Sequence, residues 1–235
     1  MLSREIFLHN LEVNKEDKER LEKFLKSKGL FIHNKIKSKI EAFANNDEKI
    51  KYTQIASTYR YDKRIRLILY KYISYYEEYL RSILLDNFDN NLNQVFWIKQ
   101  IQEKLEVNIQ LERILEDLSF RCLIDQIKKL PESIKSKLFL YQKHLNKNLN
   151  SVIVLRNAVM HNKFLLFYLG FGVCYLNKKP SGSTLRHNIY NLASFLPYDV
   201  AKSFINDIQG CQNDKNDSND TKWDLPEQFL IDLNT

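Results

Sequence analysis

Residues 155–164 read LRNAVMHNKF and place an arginine, an amide and an imidazole, Arg156, Asn157 and His161, within six consecutive positions. A guanidinium offers planar, permanently charged donors that match phosphate oxygens, and an imidazole can give or take a proton near neutral pH. Together they meet the minimum needs of RNA cleavage without a metal: one group holds the phosphate while another moves protons. Spacing alone fits equally well a pair of satisfied polar residues at the edge of a core.

Local sequence supplies no metal centre. The histidines His9, His33, His144, His161 and His187 form no H-x-x-x-H or H-E-x-x-H pair, and Cys122, Cys174 and Cys211 are odd in number, far apart and without a C-x-x-C pair. A zinc site and a disulfide framework are therefore not expected, no cofactor is implied, and the cysteine usage suits a reducing cytoplasm.

The three residues sit in a stretch, about 149–170, whose apolar spacing predicts a helix. Stepping about 100° per residue puts Val159, Asn162, Leu166 and Leu169 near Leu155, with Ala158 alongside, as one core stripe. The opposite face then carries Asn157, Met160, His161, Phe164, Phe167 and Tyr168, with Arg156 on its flank. Large apolar groups on both faces mean that both are covered, either within one bundle or at a two-fold homodimer seam. Asn157 and His161 are i,i+4 neighbours, whereas Arg156 and His161 lie about 140° apart and converge only through the long arginine or through a ligand such as phosphate.

The elements that must position this helix are also helical. Apolar residues recur at three- and four-residue steps, and only five glycines and four prolines interrupt the chain, so the expected fold is all-α. Asn14 caps a helix that Gly29 ends in a left-handed conformation, and a second helix follows over about 31–44. Residues 59–88 form a central helix with Ile65, Leu69, Tyr72, Tyr76, Tyr79, Ile83 and Leu84 on one face, laced by Asp62–Arg66 and Glu77–Arg81 pairs. Further helices are expected over about 92–118, 120–129 and 132–147. NKKPSGSTLRHN reads as a turn-rich loop, QGCQNDKNDSNDTK as a flexible linker, and WDLPEQFLIDL as a terminal segment whose apolar residues need a surface to dock on. The organisation expected is a single domain over 1–235, with an N-terminal helical extension to about 50, a core over about 55–210, a linker over about 211–222 and a short segment over 223–235.

Thirty-six Lys and Arg against 29 Asp and Glu give a net charge of +7, which favours a polyanionic partner. In YRYDKR, Arg60, Lys63 and Arg64 interleave with aromatics in a pattern suited to phosphate contact and base stacking, and Lys163 adds a cation beside the motif. Charges interrupt the apolar stretches at the start of the chain before any could act as a secretory signal, and no run approaches 18 uncharged apolar residues, so no membrane association is expected.

RNAVMH resembles the Arg, four-to-six residues, His motif of the HEPN superfamily of ribonucleases. DKERLEKFLKSKGLFI, YRYDKRIRLILYKYISYYEEYLR and VLRNAVMHNKFL are similar, in order and spacing, to segments of the Abi-like (Abi-D/Abi-F type) abortive-infection proteins. That resemblance implies a HEPN-type helical bundle with additional terminal helices, a composite site at a dimer seam, and a metal-independent endoribonuclease acting in phage defence or a toxin–antitoxin system. By position it implies Arg156 as phosphate binder, His161 as catalytic acid or base and Asn157 as orienter. It also implies RNA as substrate, with a small structured RNA as a further partner. The alternative is a HEPN bundle that holds RNA without cutting it. The chain departs from the family in having KYTQIASTYRY where YYRL is usual, and Lys28-Gly29 at the turn.

Overall fold

The computed structural model describes residues 4–44, 49–88, 111–139, 144–176, 179–212 and 223–233. Among these, 72% are helical, in ten α-helices and three short 3-10 turns, and 6% form strands. The chain is all-α as expected, apart from two small strand pairs. The described residues divide into two compact units, one of residues 1–67 and 206–235, the other of residues 68–205. The division falls within two helices, after residue 67 and after residue 205.

The first unit contains α1 (Arg4–Leu8), β1 (Leu11–Glu12), α2 (Lys18–Lys28), α3 (Leu30–Glu41), β2 (Ile50–Lys51) and the start of α4 (Tyr52–Phe88). β1 and β2 pair in parallel, Leu11 opposite Ile50. Gly29 separates α2 from α3 at φ +80°, but its ψ of 154° is extended rather than left-handed helical, and α3 begins at the next residue. Asn14 precedes a 3-10 turn and makes no side-chain cap. The core gathers Phe7, Ile36, Ile40, Ile50, Ile55, Tyr61 and Ile65, all at most 3% exposed. Buried Lys37 donates to the carbonyls of Phe7 and His9, satisfying the end of α1. The imidazole of His33 stacks on Tyr59 and meets Phe7 edge-on.

The second unit holds the rest of α4, then α5 (Leu111–Asp117), α6 (Phe120–Lys129), α7 (Glu132–Leu138), α8 (Leu145–Met160), β3 (Cys174–Leu176), β4 (Lys179–Gly182), α9 (Leu185–Ala193) and most of α10 (Tyr198–Gly210). The helix expected over 92–118 is seen only as α5, since 89–110 lie outside the described residues. In α4 the expected stripe is buried at Leu69, Tyr72, Tyr76, Ile83 and Leu84. The Glu77–Arg81 pair forms at 2.9 Å, and Arg81 also donates to the carbonyls of Leu115 and Leu118, closing the end of α5. Ser119 caps α6 by accepting from the Cys122 amide.

NKKPSGSTLRHN is not only loop. It supplies β4 and the start of α9, and β4 pairs antiparallel with β3. Side chains of α8 fix this hairpin. Asn148 accepts from the Tyr175 amide at 2.8 Å and donates to its carbonyl, and Ser151 donates to the carbonyl of Val173 at 2.9 Å. Gly172 permits the approach, because a Cβ there would lie 3.0 Å from the Ser151 backbone. From α9, Asn191 donates to the Asn148 carbonyl and Asn188 to that of Gly172. α8 is thereby held at its start by the hairpin and α9, and along its length by α6.

Candidate functional site

α8 stops ten residues short of the expected end at 170. Asn162 adopts φ +53°, one of the few non-glycine types that tolerate the left-handed region. The Asn162 amide donates to Val159 at 3.1 Å and the Lys163 amide to Ala158 at 2.9 Å, the paired bonds of a Schellman helix end. His161 is therefore the C-cap, not a mid-helix residue. The core stripe consequently ends at Val159: Leu155, Ala158 and Val159 are buried, Asn162 is exposed and Leu169 is 93% exposed. Phe164 and Phe167 leave the helix and pack on each other, ring centroids 5.1 Å apart.

At this helix end Arg156 and Asn157 are half-buried, while His161 and Lys163 are exposed. The guanidinium carbon of Arg156 lies 5.9 Å from the ring of Phe120, the buried first residue of α6. Its Nε is buried and has no hydrogen-bond partner, and among the described residues the side chain makes no hydrogen bond or ion pair. A buried donor left unpaired costs about 1–3 kcal/mol, and α8 retains this one within a turn and a half of an exposed imidazole. Asn157 is linked to His161 by the backbone, its carbonyl accepting from the His161 amide at 3.0 Å.

The other sequence-selected cations, Arg60, Lys63 and Arg64, lie on α4 in the first unit. Arg60 donates to the Ser57 hydroxyl and Arg64 to the Cys211 carbonyl, each at 3.3 Å. Both guanidinium carbons also lie over the indole of Trp223, at 5.3 and 4.5 Å. Lys63 stands over Tyr59, and burial, followed by the nearby charges of Lys28 and Arg66, holds its ammonium below its ordinary pKa. Sequence reasoning missed Phe120 and Trp223, the aromatic partners of these arginines. The docking requirement of WDLPEQFLIDL was the only signal for Trp223, and nothing local marks Phe120.

The buried thiols do not compete as nucleophiles, since burial pushes Cys174 and Cys211 up to about 11. Among the described residues no cluster of His, Cys, Asp and Glu is placed to hold a metal, and no helix is long and apolar enough to cross a membrane. A groove of about 650 Å³ in the first unit is lined by Asn206, Gln209, Gln212, Leu230 and Asp232. Its acidic and amide lining does not suit a polyanion. Comparison with protein-family models, with curated proteins and with solved structures finds no match.

Proposed function

We propose that the end of α8 is the active site of a metal-independent endoribonuclease of the HEPN type, acting in abortive infection or as the toxin of a toxin–antitoxin pair. The observation that carries this reading is half-buried Arg156, whose buried Nε has no hydrogen-bond partner among the described residues, on a helix that terminates at exposed His161. An anion is the natural partner for such a group, and phosphate matches its geometry.

In the proposed reaction the ribose 2′-oxygen attacks the adjacent phosphorus and the bond to the 5′-oxygen breaks. The products are a 2′,3′-cyclic phosphate and a 5′-hydroxyl. His161 moves the protons, Arg156 neutralises the phosphorane, and Asn157 orients the phosphate or the imidazole. A two-fold dimer is part of the reading. It would cover the exposed Leu169 and Val173 that follow the helix and set two Arg/His pairs opposite each other.

The requirement for a 2′-hydroxyl gives a direct test with RNA and DNA oligomers of one sequence. The RNA is expected to be cut and the DNA to survive. Equal cutting of both, or cutting of neither across pH 5–9, would overturn the proposal.

A further inference from the structure

The C-terminal segment 223–233 lies along the first unit as a strap. Its later part is anchored: Pro226, Phe229, Ile231 and Leu233 are buried, and Phe229 meets Phe43 edge-on at 6.0 Å. Ile231 is held on both sides, its amide donating to the Tyr61 hydroxyl at 3.1 Å and its carbonyl accepting from Gln212 at 2.9 Å. Its first two residues are seated differently. Trp223 is half-buried against Arg60 and Arg64. The Asp224 carboxylate accepts from the Thr53 hydroxyl at 2.7 Å, and its amide donates to the Ser57 hydroxyl at 2.9 Å.

Thr53, Ser57, Arg60 and Arg64 follow one another at four-, three- and four-residue steps, which align them on one stripe of α4. That stripe presents two guanidinium groups to a flat bicyclic ring and one hydroxyl donor, that of Thr53, to an adjacent anion, while the Ser57 hydroxyl accepts from the neighbouring amide. A ring joined to an anion describes Trp223–Asp224, and it equally describes a purine nucleotide. Stacking on arginine is sequence-tolerant and common where single-stranded RNA is held. We propose that this stripe of α4 binds a purine nucleotide of single-stranded RNA, and that Trp223–Asp224 occupies the site as an intramolecular stand-in. RNA entry lifts the first residues of the strap while Phe229, Ile231 and Leu233 stay docked. The inference takes from the reading above only that RNA is the ligand, and it uses neither Arg156 nor His161.

The chain has two tryptophans, so Trp97→Phe leaves Trp223 as the sole indole. In that protein, carrying His161→Ala to preserve the RNA, titration with a ten-residue oligoadenylate is expected to shift the indole emission to the red. Trp223→Ala is expected to tighten oligoadenylate binding by about five-fold or more, the low end of a base-stacking contribution. Adding Arg60→Ala and Arg64→Ala should abolish that gain. The proposal is overturned if the emission is unchanged at saturating RNA, if the tightening survives loss of both arginines, or if the Trp223→Ala protein binds no oligoadenylate. The emission experiment needs no change at the strap and holds even where Trp223→Ala does not fold. Intact binding shifts without cleavage by the His161 protein would strike only the catalytic reading.

Discussion

Arg64 on α4 and Arg156 on α8 both stand over an aromatic ring, yet among the described residues Arg64 is also tied to an oxygen acceptor, whereas the buried Nε of Arg156 has no hydrogen-bond partner. An arginine whose donors are met by the fold stabilises that fold. One whose buried donor is unmet costs stability, and its retention points to a partner from outside. Arg64 is held within the fold by Trp223, the ring that RNA is proposed to displace, whereas the Nε of Arg156 has no such internal partner among the described residues.

That contrast is sharpest in paired substitutions. Arg156→Ala is expected to lower RNA cleavage by about 10²-fold or more, the scale of removing a preorganised charge from a transition state. In urea unfolding at pH 7 Arg156→Met should leave stability unchanged or raise it by about 1 kcal/mol, because it removes an unpaired buried donor. Arg64→Met should lower stability by about 1–2 kcal/mol through loss of the Trp223 contact and the Cys211 bond. Equal destabilisation by the two would erase the distinction.

A smaller effect separates the first unit through His33, which is 1% exposed. Burial holds its imidazole below the ordinary pKa, opposed by the bond to the Gly29 carbonyl. Since a carbonyl only accepts, Nδ1 carries the proton of the neutral ring. Unfolded, the ring binds a proton near pH 6.5; folded, it does so only at lower pH, so between the two values the unfolded state holds more protons. The stabilisation is present above about pH 6.5 and is lost as pH falls toward the folded value, by at most about 1.4 kcal/mol per pH unit. Urea midpoints of wild type should fall between pH 7 and 5.5 more steeply than those of His33→Phe, and parallel curves would remove His33 from the account.

The legible parts of the fold were those set by local periodicity. The apolar repeat of α4 and the Glu77–Arg81 pair depend on neighbours three and four residues away, and both are found where the sequence places them. The end of α8 was illegible because its apolar run continues through FLLFYLGFGV while the stop signal is Asn162 rather than glycine. The β3–β4 hairpin escaped for a different reason: Asn148, Ser151 and Asn188, distant in sequence, supply the bonds that hold it. At the candidate site the residue types of Arg156, Asn157 and His161 could be read directly. That the Arg156 Nε has no hydrogen-bond partner among the described residues could not, because it depends on what α6 places beside it.

In the proposed reaction His161 moves protons in a metal-free cleavage of RNA. The most direct measurement is the end chemistry of RNA incubated with wild type and with His161→Ala in excess EDTA. Wild type is expected to leave 2′,3′-cyclic phosphate and 5′-hydroxyl ends, with the rate falling about 10²-fold or more in His161→Ala. Cleavage that requires a divalent ion, leaves 5′-phosphate ends, or persists undiminished in His161→Ala would contradict that role.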